Sequence, residues 1–594
     1  MATRTLVYDV GDKPKFKNLL LYAFQLLLAI LAATVAVPTA IGLPTQIPSA
    51  ILGAGVGTLV YIFFTKRRSP IVISSSFAFL PALGMAVSFG YMGILAGGLF
   101  AGAVYVIIAL IVKIAGTRWI NKIMPPVIIG PVVALIGLSL APSAIGNLTS
   151  ANYAGTEFES YNWVALICGL TTLFTVVLCT VQNRSKGIKL IPFIIGIGAG
   201  YLMASIFTAI GNACNNDYLK IIDWTPLTNN FSKITINSFF SVPKISLVEG
   251  IKEMVTGKLD ASILAADAEA TLLTPAGIGV VALAFCPIAF VSFAEHLADH
   301  KNMSNIIGHD LINDQPGLHR TLLGDGVGTM AGTAFGICPN TSYGEGLACV
   351  AMTRNASVLT TFTTACICII LSFLAPFSLA LQTVPKCVMG GVCLALYGYI
   401  SVSGLKMFKE VDLDDNVNLL TVSSILIAGI GGLILLIPPV YTPIYNELKE
   451  IVGYNVSGVI QISSVATALV LGILVYQLTR VIHYRERSKV MDVNLEAINE
   501  DFVRMYLKKF SNDRLAKALM MFGFMHESVE LTTAQLSNFL HSEEMLNLRS
   551  AKELNELIEM FEFKGNTKGL NKKSLIKLIR ENCLRIEKSR ALIN

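Results

Sequence analysis

Charged residues are scarce in this chain. Lysine, arginine, aspartate and glutamate make up 14% of its 594 residues, whereas a soluble domain typically carries roughly 25%. Hydrophobic residues make up 54% of the chain. This balance excludes an ordinary soluble enzyme and predicts that most of the chain lies in a membrane.

The few charges are unevenly distributed along the chain. The last 110 residues hold 19 Lys or Arg and 16 Asp or Glu, while the rest of the chain has about one charge in ten residues. The composition therefore predicts a long membrane part followed by a small soluble part. The expected divisions are a cytosolic tail (1–18), a first repeat (19–211), an extracellular linker (212–274), a second repeat (275–484) and a charged helical cytosolic domain (485–594).

Patterns typical of three other classes of protein are missing from the sequence. No basic run is interleaved with aromatic residues, so we expect no nucleic-acid partner. The 11 cysteines form neither a disulfide framework nor a CxxC metal pattern. No nucleophile–base pair stands outside the apolar runs, so we expect no enzyme, no catalytic residue, no cofactor and no bound metal.

Fourteen apolar segments account for most of the first 484 residues. A helix needs roughly 20 apolar residues to cross a bilayer. Eleven runs are near that length, at 19–37, 47–65, 90–115, 124–146, 160–182, 188–211, 275–298, 357–379, 384–404, 415–438 and 456–484, and three are shorter or interrupted, at 70–84, 320–335 and 337–352. Seven precede the linker and seven follow it, which predicts an all-α polytopic membrane protein of 14 transmembrane segments as a 7+7 inverted repeat.

Two of the short segments occupy corresponding places in the two halves. They contain Ser74–Phe79 (SSSFAF) and Pro339–Glu345 (PNTSYGE). Backbone that leaves the helix is tolerated at membrane depth only where it lines a cavity or is buried in protein. Matched interruptions mark the binding site of inverted-repeat transporters. The alternative is a pair of kinked helices without a site.

Basic residues lie in alternate loops of the predicted bundle. Lys66, Arg67 and Arg68 belong to one set, whereas the opposite loops 38–46 and 84–89 hold no Lys or Arg. Basic loops face the cytoplasm, so we expect a multi-pass protein of the cell membrane with both termini in the cytoplasm.

Carboxylates inside or beside the apolar runs are the main functional candidates, since ionisable groups are costly there. Glu295 and Asp299 are four residues apart and share one helix face, and Glu345 follows the second interrupted segment. Such groups suit a flat ligand whose N–H donors are flanked by carbonyls, as in uracil, xanthine and uric acid. The alternative is that Glu295 and Asp299 pair with His296, His300 or Lys301 and only stabilise the end of the helix.

The residues around these carboxylates resemble the nucleobase–ascorbate transporter family, in particular its bacterial uracil permeases. The resemblance runs from about Leu19 to Tyr484. It is carried by the stretches Gln25–Pro38, Ser75–Phe79, Ala115–Thr117, Pro125–Pro126, Ala294–His296, Pro316–Arg320, Thr341–Glu345 and Val388–Val392.

The resemblance implies a core of segments 1–4 and 8–11 that moves against a dimerised gate of segments 5–7 and 12–14. Segments 3 and 10 would each start with a short strand, and the two strands would pair as antiparallel partners. It implies proton-driven uptake of uracil by an elevator-type alternating-access mechanism. Carried over by position, Glu295 and Glu345 would grip the substrate, Gly344 and Phe77 would offer backbone groups, Tyr343 and Ala33 would line the pocket, and Asp299 and Glu295 would be the proton-coupling candidates.

The sequence leaves several alternatives open. The family signature would have Asn where Gly346 stands and Gly where Ala348 stands, so xanthine or uric acid remains an alternative to uracil. An anion transporter of the same fold is the second alternative, and a receptor or scaffold is the third. The charged tail predicts helices at 492–510, 549–562 and 571–590, without the acidic residues of a calcium loop.

Overall fold

The structure, a computed structural model, describes most of the chain. The described residues are 6–150, 161–182, 188, 191–232, 234–260, 262–263, 270–445, 451–491, 540, 546–547, 549–563 and 570–591. They form two units, one within Met1–Met407 and Ile425–Leu471, and a smaller one within Phe408–Ser424 and Gly472–Asn594.

Apolar helices make up the first half of the larger unit. They are α1 (Phe16–Ala40), α2 (Ile47–Phe64), α3 (Leu80–Val87), α4 (Gly90–Ala115), α5 (Arg118–Ile123), α6 (Pro126–Thr149), α7 (Trp163–Val181) and α8 (Pro192–Ala213). Proline stands in the first turn of α2, α3, α6 and α8. Proline fits there because the first helical N–H groups have no partner within the helix, so it marks these starts in the sequence.

The linker and the second half continue the helical pattern. The linker contains α9 (Thr225–Phe231) and α10 (Ser246–Thr256). The helices after it are α11 (Pro275–Ile307), α12 (Leu318–Phe335), α13 (Gly344–Thr353), α14 (Val358–Ser372), α15 (Ala375–Gln382), α16 (Lys386–Lys406) and α17 (Asn416–Ile430).

Within the described residues, nine helices are long and apolar enough to cross a membrane. Three further apolar helical stretches are shorter, at Phe77–Val87, Val358–Ser372 and Asn416–Ile430. The chain is therefore a mostly helical, multi-pass membrane protein, as its composition predicts. The short segments predicted at 320–335 and 337–352 fall on α12 and on α13 with the strand before it.

Two short strands meet where the two interrupted segments were predicted. Strand β1 (Ile73–Ser75) pairs antiparallel with β2 (Asn340–Ser342), in the register Ile73 to Ser342, Ser74 to Thr341 and Ser75 to Asn340. All six residues are buried. Each strand is followed directly by a helical segment, a 3-10 turn at Phe77–Phe79 and α13, so the strand pair brings two helix starts together.

Glycines allow α2 and α12 to pack closely around this strand pair. A Cβ on Gly53 would lie 2.4 Å from the carbonyl oxygen of Gly332, and one on Gly57 would lie 2.6 Å from Nδ2 of Asn340. That amide donates a 2.8 Å hydrogen bond to the carbonyl of Gly53. Small residues permit such close helix contact in membranes, and here they fix the position of β2.

A β-hairpin lies where the sequence predicted helix up to residue 438 and again from 456. Strand β3 (Leu435–Tyr445) pairs antiparallel with β4 (Ile451–Ile462). Helix α17 stops before two glycines, of which Gly432 has a φ of +73°, and a left-handed glycine commonly ends a helix. β-Branched residues are frequent in β4, which favours a strand. The apolar run therefore becomes helical only at α18 (Ser464–Met491).

The charged tail contains a small helical core of its own. Helices α19 (Ala551–Met560) and α20 (Lys572–Ala591) match two of the predicted tail helices, and the third, 492–510, lies outside the described residues. Ser550 and Glu553 form a reciprocal capping box at the start of α19. The buried side chains of this core are Leu540, Leu546, Leu554, Leu557, Ile558, Phe561, Phe563, Leu575, Ile576, Ile579 and Cys583.

Candidate substrate site

Hydroxyl groups from α1 and α2 hold the strand pair. Thr34 and Ser74 are joined by a 2.7 Å hydrogen bond between their side-chain oxygens. The Thr58 hydroxyl donates to the carbonyl of Ile73 at 2.9 Å. These contacts satisfy polar groups that would otherwise be costly in an apolar bundle. Ala33, predicted to line the pocket, is fully buried in α1 beside Thr34.

The predicted coupling residue Asp299 reaches the end of strand β2. The Ser342 hydroxyl donates a 2.9 Å hydrogen bond to Oδ2 of Asp299. Its Oδ1 is 4.0 Å from the point where a Cβ on Gly344 would lie. The carboxylate on α11 therefore faces the first turn of α13, which also carries Glu345. This contact is to a serine of β2, and the side-chain hydrogen bonds of His296 go to Asp325 and Thr321.

Two buried polar atoms at the start of α13 lack a hydrogen-bond partner among the described residues. They are Oε1 of Glu345 and the hydroxyl oxygen of Tyr343. Glu295 and Glu345 are half-buried and Gly344 is exposed. Buried polar atoms are nearly always hydrogen-bonded in folded proteins. An orphan carboxylate oxygen next to an exposed glycine is therefore suited to accept an N–H from a bound molecule.

An aromatic pair lies at the helical turn that follows β1. Phe77 is 3% exposed, and its ring packs edge-to-face against Tyr397 of α16 at a centroid distance of 5.1 Å. Edge-to-face packing is a favoured geometry for two aromatic rings. The predicted residue Phe77 thus links the turn after β1 to a helix of the second half.

A buried histidine–aspartate pair, which the sequence does not predict, joins α11 to α12. Nδ1 of His296 is 2.6 Å from Oδ2 of Asp325, and its Nε2 is 3.1 Å from the hydroxyl of Thr321. Both His296 and Asp325 are fully buried. Asp325 lies between Gly324 and Gly326, in a glycine-rich stretch whose small residues also fit close helix packing. The rule that an ionisable residue in a membrane segment is functional could have identified it.

The partners of His296 determine how many protons this pair holds. The Thr321 hydroxyl also donates to the carbonyl of Leu318 at 3.0 Å, so it accepts from Nε2 of His296. The contact between Nδ1 and Asp325 then contains one proton, on either the carboxyl or the imidazole. In both cases the pair has no net charge, which lowers its cost in a membrane.

His300 belongs to a separate chain of hydrogen bonds. Its Nδ1 donates to the carbonyl of His296 at 2.7 Å, so the neutral ring accepts through Nε2 from the Tyr61 hydroxyl at 2.7 Å. The Ser69 hydroxyl lies 2.8 Å from that of Tyr61. The two histidines, which share a helix face, therefore contact different partners within the helix bundle.

A cleft in the larger unit is lined in part by α11. It has a volume of about 560 Å³, and its lining includes Leu297, Ala298 and Lys301. On the Phe77 side, a void between Phe77 and Val291 measures only about 10 Å³, room for about one water molecule. The larger cleft thus reaches α11 at Leu297 and Ala298, the two residues before Asp299.

The comparisons with known proteins identify the family. The sequence profile described as "Permease family" matches residues 17–437. The uracil permease of Bacillus caldolyticus is 34% identical over 453 residues, which are 75% of this chain and 93% of that protein. The uracil permease of Paenibacillus larvae is 35% identical over 429 residues, 72% of this chain and 90% of that protein. The chain belongs to the nucleobase–ascorbate transporter family.

Membership of the nucleobase–ascorbate transporter family makes this chain a permease and not an enzyme, as the sequence predicts. Among solved structures, the murine Solute Carrier 26 family member A9 anion transporter in the inward-facing state matches with a TM-score of 0.50 at 12% identity. The match covers 80% of this chain and 70% of that chain. A likeness at this identity shows a shared fold and carries nothing about substrate.

Proposed function

We propose that this chain is a proton-coupled symporter that imports uracil. The orphan Oε1 of Glu345 carries the proposal, because it is a buried acceptor at an exposed helix start. Uracil presents N–H donors flanked by carbonyls, which a carboxylate and a protonated carboxyl can recognise together. The similarity to uracil permeases along most of their length supports the same substrate.

In this proposal the ligand lies between the strand pair and α11. Glu345 and Glu295 bind the N–H and carbonyl groups of the ligand. Backbone groups of Gly344 and Phe77 also contact the ligand. Tyr343 and Ala33 form part of the wall. Asp299 and Glu295 exchange the coupled proton, since they lie one helical turn apart.

The proposed movement follows from a 7+7 inverted repeat. Segments 1–4 and 8–11 form a core that slides against a gate of segments 5–7 and 12–14, and two gates form a homodimer. The repeats are 19–211 and 275–484, separated by the linker 212–274. The protein lies in the plasma membrane with cytoplasmic termini, and the domain 485–594 is cytosolic.

A purine such as xanthine is the second candidate within this proposal, because Gly346 stands where the family signature has Asn. An anion is disfavoured as substrate. Asp299, Glu295 and Glu345 would repel it, whereas anion sites rest on helix N-termini and positive groups. The shared fold with an anion transporter does not offset this electrostatic mismatch.

Uptake of radiolabelled uracil into cells that lack their own nucleobase carriers tests this proposal. We expect saturable uptake that unlabelled uracil inhibits more strongly than xanthine, uric acid or sulfate does. Stronger inhibition by xanthine would replace uracil with a purine as the substrate. Uptake of sulfate with no inhibition by any nucleobase would overturn the proposal.

A further inference from the structure

The linker helix α10 buries its small and polar residues and exposes its apolar ones, which is the opposite of a helix on a water-facing surface. Ser246, Gly250 and Glu253, which are small or polar, are buried on one face. The opposite face is apolar and exposed, with exposed fractions between 45% and 81%. Its residues are Leu247, Val248, Ile251, Met254 and Val255. An exposed apolar face of this extent indicates contact with a membrane or another protein.

The buried face of α10 is fixed to the start of α4. Glu253 is 1% exposed, and its Oε2 accepts a 2.8 Å hydrogen bond from the N–H of Tyr91. A Cβ on Gly90 would lie 2.6 Å from the same oxygen, and Gly90 has a φ of +67°. The carboxylate therefore caps the first turn of α4, where the helix dipole favours a negative group. Ser246 also donates to the carbonyl of Gly336.

Charges around α10 are paired within the linker. Lys244 and Asp260 form a 2.5 Å ion pair, and Lys252 contacts Glu249 at 3.2 Å. Burial alone would raise the pKa of Asp260, but hydrogen bonds from Lys244 and Ser262 lower it below its usual value. Burial raises the pKa of Glu253 despite the backbone N–H groups that it accepts from. The charged side chains beside the exposed apolar face are therefore held in ion pairs within the linker.

The apolar face continues the outer flank of α4. Gly250 packs against Leu95 and Met92 in the first turns of that helix. Leu99, one turn below Leu95, is 56% exposed, and Ile114 near the far end of α4 is 86% exposed. In a multi-pass membrane protein, such a flank faces lipid. Helix α10 covers the first turns of this flank of α4. There the exposed apolar surface is formed by side chains of α10 rather than of α4.

We propose that α10 is an interfacial helix whose apolar face inserts into the lipid leaflet next to the start of α4. An amphipathic helix of this kind lies in the membrane plane with its apolar side at the boundary of head groups and acyl chains. Lys252, beside the apolar face and paired with Glu249, has an apolar stem that can lie along lipid while its charged end stays at the head groups. Lipid is favoured over a second copy of the chain because the face continues a lipid-facing helix.

Quenching of tryptophan fluorescence by brominated phosphatidylcholine tests this inference on the full chain in liposomes. The background carries Trp119→Phe, Trp163→Phe and Trp224→Phe, and the probe is Val255→Trp. The matched control, Asn229→Trp, places tryptophan on an exposed polar position of the same linker. Elution as a single peak in detergent before reconstitution shows that each variant is folded.

We expect brominated lipid to quench the Val255 probe at least about twofold more than the control, with emission shifted to the blue. Iodide in the aqueous phase should quench the control more strongly. Quenching of the Val255 probe by iodide and not by lipid would overturn the inference, since the face would lie in water. Protection from both quenchers would also overturn it, because a protein surface would then cover the face.

Discussion

At the scale of single residues, Glu345 offers the clearest test of the site. Its Oε1 is buried without a partner among the described residues, so a ligand N–H can be its hydrogen-bond donor. Glu345→Gln replaces the charged acceptor with a neutral amide. A hydrogen bond to a charged group contributes about 1.5–3 kcal/mol, so we expect uracil affinity to fall roughly ten- to a hundredfold. Competition binding with radiolabelled uracil measures the change.

A surface variant separates this effect from a general loss of charge. Glu249→Gln removes a carboxylate from the linker helix α10 and should bind uracil as the parent chain does. Unchanged affinity in Glu345→Gln would show that Glu345 does not contact the ligand. A gain of xanthine binding in Glu345→Gln would keep the site and change the substrate.

The pair of His296 and Asp325 provides a second residue-scale prediction. If Asp325 donates to Nδ1 of His296, Asp325→Asn retains an N–H donor at that place. Asp325→Ala leaves a buried acceptor unsatisfied, which costs about 1–3 kcal/mol. We expect the Ala variant to unfold at a lower temperature than the Asn variant in detergent. Equal destabilisation of both would indicate an imidazolium–carboxylate pair, because Asn cannot supply a charge.

The sequence predicts part of this polar network and misses the rest for a physical reason. Glu295 and Asp299 stand out because a charge in an apolar run is costly wherever it points. Asp325 is equally unusual, but its glycine neighbours also explain helix packing, and the pattern alone does not separate the two. Tyr61 carries no signal, because a tyrosine in an apolar helix is common and its partner His300 is 239 positions away.

At the scale of elements, the close contact of α2 and α12 positions strand β2. A Cβ on Gly332 would lie 2.2 Å from Nδ2 of Asn340, so Gly332→Ala must displace the amide that bonds to Gly53. Overpacking of this kind costs about 1–3 kcal/mol. We expect lower thermal stability and weaker uracil binding, because Glu345 follows β2 by three residues.

A glycine with open space around it serves as the control for this substitution. Gly84 in α3 has no heavy atom within 4 Å of its Cβ position, and Gly84→Ala should stabilise or leave the protein unchanged, since Ala favours helix. Thermal unfolding of both variants measures the difference. Equal stability of the two would mean that β2 tolerates a shift of Asn340.

Element boundaries follow from the sequence where composition and turn chemistry agree. For α6 and α8, a proline in the first turn and a continuous apolar run give helix bounds within about four residues of those in the structure. The hairpin of β3 and β4 was missed, because hydropathy cannot separate an apolar strand from an apolar helix. The glycine pair at 431–432 was the available signal that α17 stops there.

At the scale of the whole molecule, we expect uracil transport not to require the charged tail. Its buried core, from Leu540 to Cys583, consists of tail residues alone, and the family match ends at residue 437. A chain shortened to residues 1–490 should therefore take up uracil at a rate within about twofold of the full chain. Loss of uptake with normal insertion in the membrane would assign the tail a role in the transport cycle.

Coupling to protons is the prediction that involves the whole transporter. Uracil is neutral near neutral pH, so its accumulation needs a second species that moves down a gradient. Glu295 and Asp299 share one helix face in a site of low dielectric, where two carboxylates do not both ionise readily. One proton per uracil at a gradient of one pH unit supplies about 1.4 kcal/mol, enough for about tenfold accumulation.

Proteoliposomes with imposed gradients measure this coupling directly. We expect uptake to rise with an inward proton gradient and to collapse when a protonophore is added. Asp299→Asn should abolish accumulation but keep the exchange of internal for external uracil, because the substrate still binds Glu345 while the proton site is lost. Accumulation driven by a sodium gradient alone would show that Glu295 and Asp299 do not serve as the proton site. Loss of exchange together with accumulation would place Asp299 in substrate binding, where its contact with Ser342 at the end of β2 would be the reason.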